Sequence, residues 1–202
     1  MPERQSLPDT TIVTGGAGWL GRALLASFDD ASGPWHRTGQ LRVLVHDDAD
    51  RAPVLEVAPD AEVIVGDVAD ERAIAPLFAG TGAVTDVIHT AGVIHPAKVA
   101  DFDRVNAGGT RAMLTAAGRA GVRRFVHVSS NSPFGVNPDP SEMFRRDEPY
   151  HPYLGYGRSK MEAELAVQEA QKAGLETVIV RPPWFYGPFQ PLRQTTFFKM
   201  VK

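Results

Sequence analysis

The sequence contains no cysteine, which excludes disulfide bonds, thiolate metal sites and a cysteine nucleophile. It also lacks any apolar run near the roughly 18 residues of a membrane-spanning helix, and its N-terminus shows no signal-peptide core. No lysine or arginine block stands out and the formal net charge is -3, so the charge pattern of nucleic-acid binding is missing. The six histidines have no metal-binding spacing, and we expect no metal. These absences predict a soluble, cytoplasmic protein that binds neither membranes nor nucleic acids.

What the chain does have is a regular alternation of short β-rich runs with longer helical stretches. Its 202 residues are 43% apolar, enough for one sizeable core. Strands are predicted at 11–15, 41–46, 61–67, 84–92, 124–130 and 175–182, and helices at 19–28, 70–80, 102–121 and 155–174. This alternation predicts an α/β fold, a doubly wound parallel sheet of the Rossmann type with helices on both faces.

Three glycines follow the first predicted strand at intervals of three residues, in the stretch "TGGAGWLG" at 14–21. A turn from a parallel strand into a helix presents free N–H groups at the positive end of the helix dipole, which suits a pyrophosphate. Gly15 can make the tight turn, Gly18 can let the ligand approach the backbone, and Gly21 can let helix and strand pack closely. The spacing alone is weak evidence, and a turn without a ligand is the alternative. The strand before it and the helix after it favour a dinucleotide site.

The end of the second strand, "LVHDD", bears on which dinucleotide binds. His46 stands at the tip, and the carboxylates of Asp47 and Asp48 would repel a 2′-phosphate, so NAD is favoured, with NADP as the alternative. A solvated turn is the other interpretation of the two aspartates. Asp67, which closes the third strand, is expected either to accept a hydrogen bond from the adenine amino group or to cap the helix that begins near Asp70.

The stretch "YGRSK" places Tyr156 and Lys160 one turn apart on one face of a predicted helix. A phenol with a pKa near 10 is a poor acid–base group at neutral pH. An ammonium about 5 Å away would contribute roughly 3 kcal/mol, about two pKa units, and would lower the phenol pKa into a useful range. Ser129 and Ser130 end a predicted strand, where a hydroxyl can bind a substrate oxygen. An exposed helical pair and a plain strand exit are the alternatives for these two motifs.

Seven stretches together resemble the extended branch of the short-chain dehydrogenase/reductase family, the NAD-dependent epimerase/dehydratase group. They are "VTGGAGWLG", "GDV", "DVIHTAG", "VNAGGT", "FVHVSS", "YGRSK" and "VRPPWFYGP", and they run from about residue 11 to residue 188. His46 departs from the family pattern, which usually has a discriminating Asp or Arg at that position.

The resemblance implies specific roles for residues of this chain. Ser130 would be the catalytic hydroxyl, Tyr156 the acid–base, and Lys160 the group that binds the nicotinamide ribose and lowers the Tyr156 pKa. Asn106 would shape the nearby helix and hold a proton-relay water. The cofactor would be bound by Gly15, Gly18, Trp19, Leu20, Gly21, His46, Asp47, Asp67, Val68, Thr90, Ala91, Gly92, Tyr156, Lys160 and Pro183. Pro182 would also lie near the nicotinamide, with Trp184 and Tyr186 towards the substrate.

We therefore expect an NAD(P)-dependent oxidoreductase, epimerase or dehydratase. Its substrate would be a small molecule with a reacting alcohol or carbonyl carbon, such as a sugar nucleotide, with steroid-like or flavonol-like alcohols as alternatives. Residues 1–188 would form the dinucleotide-binding domain with the catalytic residues, and 189–202 the start of a truncated substrate-binding lobe. The family also makes a homodimer plausible, through helices that include 102–121 and 155–174. The rival interpretation is a non-catalytic, NAD(P)-sensing regulatory module, against which the retained Ser, Tyr and Lys count.

Overall fold

The computed structural model shows a six-stranded, fully parallel sheet. It describes residues 8–34, 36–81, 85–137, 139, 141, 143–145, 147–192, 196 and 200. The strands are β1 (Thr10–Thr14), β2 (Gln40–Val45), β3 (Glu62–Val65), β4 (Thr85–His89), β5 (Arg124–Val128) and β6 (Glu176–Val180). Their order across the sheet is β3-β2-β1-β4-β5-β6, the doubly wound arrangement. The predicted fold is confirmed.

The helices that connect the strands are α1 (Trp19–Asp29), α2 (Arg51–Leu55), α3 (Glu71–Phe78), α4 (Gly109–Arg119) and α5 (Leu154–Lys172). Helices α1, α3 and α5 lie close to their predicted positions, and α2 lies in a stretch where the sequence indicates only weak helical character. Gly121 and Gly174, just beyond α4 and α5, have φ values of +65° and +103°, so both follow helix ends in the conformation expected of a C-terminal glycine.

The single helix predicted over 102–121 is wrong in its first part. Residues Phe102–Gly108 form a π-helix, and α4 begins only at Gly109. The Gly109 N–H donates to the carbonyl of Arg104, five residues earlier, as well as to that of Val105. This stretch contains Asn106, whose buried contacts are described below.

Hydrophobic clusters lie on both faces of the sheet. Ile12 of β1 belongs to the cluster covered by α3, α4 and α5, with Phe125 and Met113 fully buried in it. The next residue, Val13, belongs to the cluster on the other face, with Leu25 of α1. Because β1 contributes to both clusters, it lies at the centre of the fold. The strand order reverses between β1 and β4, and a ligand crevice is expected at the carboxyl ends of the strands there.

The structure does not test two of the sequence predictions, the domain boundary at residue 188 and the homodimer. Of the predicted second unit, 189–202, residues 193–195, 197–199 and 201–202 lie outside the described residues. The domain boundary at residue 188 therefore stays a prediction. Helices α4 and α5 pack against each other, and a dimer through them also stays a prediction.

None of the helices in the described ranges is both long and apolar enough to cross a membrane.

Candidate active site at the carboxyl edge of the sheet

The turn between β1 and α1 has the geometry that its glycines predict. Gly15 has a φ of +72°, and a Cβ there would lie 2.8 Å from the backbone nitrogen of Ala91. A Cβ on Gly21 would overlap the Gly15 carbonyl oxygen and lie 2.8 Å from the Gly16 Cα, so α1 can pack on the turn only without a side chain there. Gly18 is the N-cap of α1 and supplies no side-chain cap. The first N–H groups of α1 are therefore left to a ligand or to solvent.

A fourth glycine in this turn was missed by the sequence argument. A Cβ on Gly16 would overlap Cγ1 of Val43 in β2. Gly16 lies outside the three-residue spacing, so the spacing gives no signal for it. Its close neighbour Val43 lies in β2, which comes later in the chain, so no short motif around Gly16 carries a signal either.

A cavity of about 470 Å³ lies on the nucleotide side of this turn. Its lining includes Gly15, Gly18, His46, Asp50, Asp67, Val68, Thr90, Ala91, Gly92 and Arg104. Most of the residues predicted to bind the adenosine half of the cofactor are therefore brought together. Asp47 lies outside this lining, whereas Asp50, which the sequence argument did not select, is part of it.

The acidic stretch after β2 is partly neutralised within itself. Asp48 accepts a hydrogen bond of 2.7 Å from Nε of Arg51, and the Asp47 N–H donates to the Asp50 carboxylate at 3.3 Å. His46 is exposed and lines the cavity. In this stretch Asp50 contributes its carboxylate to the cavity lining, and cofactor binding by Asp47 stays a prediction.

Asp67 is held by two donors at the floor of the nucleotide cavity. One carboxylate oxygen accepts from the Ala69 N–H at 2.9 Å, and the other forms an ion pair with Arg104. Burial works to raise the pKa of Asp67, but these two donors outweigh it and lower the pKa. The N-cap of α3 is Asp70, which accepts from the Arg72 N–H, so the alternative role of Asp67 as that cap is wrong. Its contact with adenine stays a prediction.

A second cavity, of about 630 Å³, adjoins the first, and Gly15, Gly18, Thr90 and Gly92 line both. It brings together Ser130, Tyr156 and Lys160 of the predicted catalytic residues with the predicted nicotinamide site, whereas Asn106 lies outside its lining. Its lining further includes Trp19, Leu20, Gly21, Ile94, His95, Ser129, Ser130, Tyr156, Lys160, Pro182, Pro183, Trp184 and Phe185. Tyr186, predicted to face the substrate, is largely exposed and lies outside this lining.

The side chain of Trp19 forms part of the wall of this second cavity. Its ring packs on that of Phe185 with centroids 4.5 Å apart and planes tilted by 40°. The stretch that follows β6 is thereby held against the glycine turn. Trp19 thus serves as a packing residue, and a backbone contact with the cofactor stays a prediction.

The two adjacent serines at the end of β5 have different environments. Ser129 donates a 2.5 Å hydrogen bond to the buried carboxylate of Glu164. The Ser130 hydroxyl lies 3.1 Å from that of Ser132, and a hydrogen bond with Tyr156 lowers the pKa of the phenol. Of the two serines, Ser130 is therefore the one that acts on Tyr156, and its role as the catalytic hydroxyl stays a prediction.

The expectation that Lys160 acidifies Tyr156 is wrong for this structure. Burial raises the pKa of Tyr156 above its usual value, and the Ser130 hydrogen bond offsets this only in part. The causes of the shift are burial and Ser130, and the charge of Lys160 is not one of them. The one-turn spacing gave proximity along the helix, but it could not give the burial of the phenol.

Lys160 is a buried amine directed into the sheet. Its side chain is 5% exposed, and Nζ donates a 3.0 Å hydrogen bond to the carbonyl of Val128 in β5. Burial lowers its pKa to about 8, and the nearby Glu164 carboxylate acts in the opposite direction. A Cβ on Gly92 would lie 3.2 Å from Nζ, so the loop after β4 passes directly beside the amine.

The amide of Asn106 holds the loop after β4 against the π-helix. Oδ1 accepts from the Val93 N–H at 2.8 Å, while Nδ2 donates to the Val93 carbonyl and to the Ser159 hydroxyl, both at 3.0 Å. The side chain is 1% exposed and fully engaged in these contacts. Asn106 was predicted among the catalytic residues. In the structure its side chain shapes the site by binding Val93 and Ser159, and a relay water at this residue stays a prediction.

Two imidazoles lie in the sheet beneath the amine. His89 makes hydrogen-bond contacts of 2.7 Å with Thr14 and 3.0 Å with Thr110, and its ring stacks on His127 with centroids 5.5 Å apart. Burial lowers the pKa of His89 to about 3 and that of His127 to about 2, and Lys160 acts in the same direction. Both rings are neutral at ordinary pH. The described ranges contain no group of three His, Asp or Glu side chains suited to a metal.

Comparisons with known proteins agree with this geometry. The uncharacterized protein y4nL of Sinorhizobium fredii is 46% identical over 198 residues, which cover 95% of this chain and 54% of that protein. A 3 beta-hydroxysteroid dehydrogenase/Delta 5-->4-isomerase of Mycobacterium tuberculosis is 39% identical over 205 residues, covering 95% of this chain and 50% of the relative. The chain therefore spans about half the length of these curated relatives.

The same likeness extends to solved structures. The dTDP-glucose 4,6-dehydratase DesIV of Streptomyces venezuelae, solved with NAD bound, superposes with a TM-score of 0.80 at 28% identity. The match covers 95% of this chain and 62% of the dehydratase. The family described as NAD dependent epimerase/dehydratase matches residues 11–201 of this sequence. With this match over nearly its whole length, the chain belongs to the NAD-dependent epimerase/dehydratase family.

Proposed function

We propose that the continuous cleft formed by the two cavities binds NAD. The glycine turn offers a cradle that a Cβ at Gly15 would fill, at the uncapped N-terminus of α1, where a pyrophosphate would be held. His46, Asp67 and Val68 would hold the adenosine half, and Lys160 and Pro183 the nicotinamide half. The NAD-bound dehydratase with the same fold supports this assignment.

The proposed chemistry is oxidoreduction at a carbinol or carbonyl carbon. Its main support is a single observation: the side chains of Ser130, Tyr156 and Lys160 line the same cavity. Ser130 would orient the substrate oxygen, and Tyr156 would exchange a proton with it. When bound, NAD supplies the acceptor for the hydride that leaves the substrate carbon. In reduction the phenol of Tyr156 gives its proton to the carbonyl oxygen, and the raised pKa keeps that proton in place at neutral pH.

Two substrate classes have support. Likeness to DesIV, a dTDP-glucose dehydratase, supports a sugar nucleotide. A steroid-like alcohol is the second candidate, because Ile94, Trp184 and Phe185 give the catalytic cavity an apolar wall. The 39% identity to a hydroxysteroid dehydrogenase points the same way.

The test uses the full-length protein with NAD and each substrate class in turn. A 3-hydroxysteroid should produce absorbance of reduced nicotinamide. An epimerase or dehydratase regenerates its NAD, so dTDP-glucose is followed by mass spectrometry and nuclear magnetic resonance of the sugar. Turnover in either arm supports the proposal and selects the class. Tight NAD binding without turnover in a broad panel of alcohols and sugars would instead favour the sensing module.

Cofactor preference is a separate expectation. NAD should bind about tenfold or more tightly than NADP, a difference of about 1.4 kcal/mol, because the 2′-phosphate would meet the carboxylate of Asp50. Asp50→Asn should narrow this gap, whereas Glu169→Gln, an exposed carboxylate change on α5, should leave it unchanged. Calorimetric titration measures both. A wild-type preference for NADP would contradict the interpretation of the acidic stretch after β2.

A further inference from the structure

A buried carboxylate lies behind the catalytic residues. Glu164 is 0% exposed and lies one helical turn after Lys160 on α5. Its oxygens accept hydrogen bonds from Ser129 at 2.5 Å and from Tyr150 at 2.8 Å, and from the guanidinium of Arg181 at 2.7 and 3.1 Å. A buried charge is tolerated only with such partners, so these four residues, the Glu164 cluster, form one unit.

The Glu164 cluster joins the segments that carry the site. Ser129 precedes Ser130 at the end of β5, and Arg181 precedes Pro182 after β6. The Arg181 guanidinium also lies 4.6 Å from the ring centre of Phe134, in the turn that follows the serines. Tyr150 adds the segment before α5. A shift of the carboxylate would therefore move the catalytic hydroxyl, the amine-bearing helix and the wall of the cavity relative to one another.

We propose that Glu164 is a positioning residue for catalysis, which fixes the Ser130 hydroxyl and the Lys160 ammonium relative to Tyr156. It acts through Ser129 and through α5, and it touches neither substrate nor cofactor. The inference rests on the proposed function, because it assigns a role in that reaction.

Glu164 also acts on Lys160 through its charge. The carboxylate raises the pKa of the amine, against the larger lowering by burial. The other titratable groups around the amine are Tyr156 on the same helix and the rings of His89 on β4 and His127 on β5. The two rings are neutral at physiological pH because burial lowers their pKa values to about 3 and about 2. Facing Glu164 itself are Arg181, which stays charged, and Tyr150, whose pKa burial raises to about 12. The carboxylate therefore favours the charged form of Lys160.

The test is Glu164→Gln in the full-length protein, assayed for carbonyl reduction with NADH. We expect kcat to fall about tenfold or more, with the NADH affinity within about threefold. We assign the alkaline limb of kcat/KM to the loss of the Lys160 proton, and it should move to lower pH because the variant lacks the charge that raises the Lys160 pKa. Glu164→Asp keeps the charge and should restore the position of that limb, even where kcat stays low.

A second variant guards against a simple folding failure. The double variant Glu164→Gln/Arg181→Met leaves no unpaired buried charge. Its melting temperature should recover relative to Glu164→Gln alone, whereas its kcat should stay low. Val167→Ala, a core truncation on α5, is the control that lowers stability and leaves kcat and the pH limb unchanged. The inference would be overturned if folded Glu164→Gln had the kcat of the wild-type protein and an unshifted alkaline limb in its kcat/KM profile. Failure of the proposed function is distinct, because the wild-type protein itself would then show no turnover.

Discussion

Tyr156→Phe is expected to lower kcat by about 10²- to 10⁴-fold, the usual contribution of a positioned acid–base group. The substitution removes the hydroxyl that meets Ser130 and keeps the ring, which packs against Phe102 with centroids 6.1 Å apart. Because the phenol has no part in the glycine turn, the affinity for NAD should change by no more than a few-fold. Steady-state kinetics and calorimetry on the same preparation measure both quantities.

Tyr153→Phe provides the matched control, since this tyrosine precedes α5 and is 63% exposed. Its kcat should equal that of the wild-type protein. Substantial turnover by Tyr156→Phe would show that another group moves the proton, and the assigned roles of Ser130 and Lys160 would then fail with it.

Gly21→Ala is expected to abolish measurable NAD binding and to destabilise the fold by about 1–3 kcal/mol. The new Cβ would overlap the Gly15 carbonyl oxygen and press on the Gly16 Cα, and both atoms belong to the backbone of the turn. Neither can move away without changing the path of the chain under the predicted pyrophosphate. Thermal unfolding and NAD titration test the two effects separately, with a loss in melting temperature of about 2–4 °C per kcal/mol.

Gly118→Ala is the control for this substitution. Gly118 lies inside α4, and a Cβ there meets nothing within 4 Å. Alanine should therefore stabilise the helix by about 0.5–1 kcal/mol and leave NAD affinity unchanged. If Gly21→Ala bound NAD normally, the close packing of α1 on the turn would be irrelevant to the cofactor.

The sequence was sufficient for the fold and for most of the site because the relevant signals are local. A strand, a glycine turn and a helix occur within 20 residues, and the carboxyl ends of parallel strands meet at one edge. Ser130, Tyr156 and Lys160 could be placed together for this reason, and they line one cavity.

The features that sequence reasoning missed depend on long-range burial. The pKa of Tyr156 is set by how deeply the phenol is enclosed, and spacing along α5 carries no such information. The Glu164 cluster unites residues from Ser129 to Arg181, and its Ser129–Glu164 hydrogen bond alone joins residues 35 positions apart, so no short motif reveals it. Likewise, the turn directly after β2 brings Asp50 into the lining of the nucleotide cavity and leaves Asp47 outside it.

The π-helix at Phe102–Gly108 makes this stretch unusually sensitive to deletions. It accommodates one extra residue in the turn that carries Asn106. Deletion of one residue just before Asn106 would convert the π-helix to the ordinary α-helical repeat. The Asn106 side chain would then point about 100° away from its present direction around the helix axis. The loop after β4 would lose its anchor at Val93. Natural variation in length should therefore accumulate in connections such as 30–34 and 36–39, which are largely exposed, and avoid this turn.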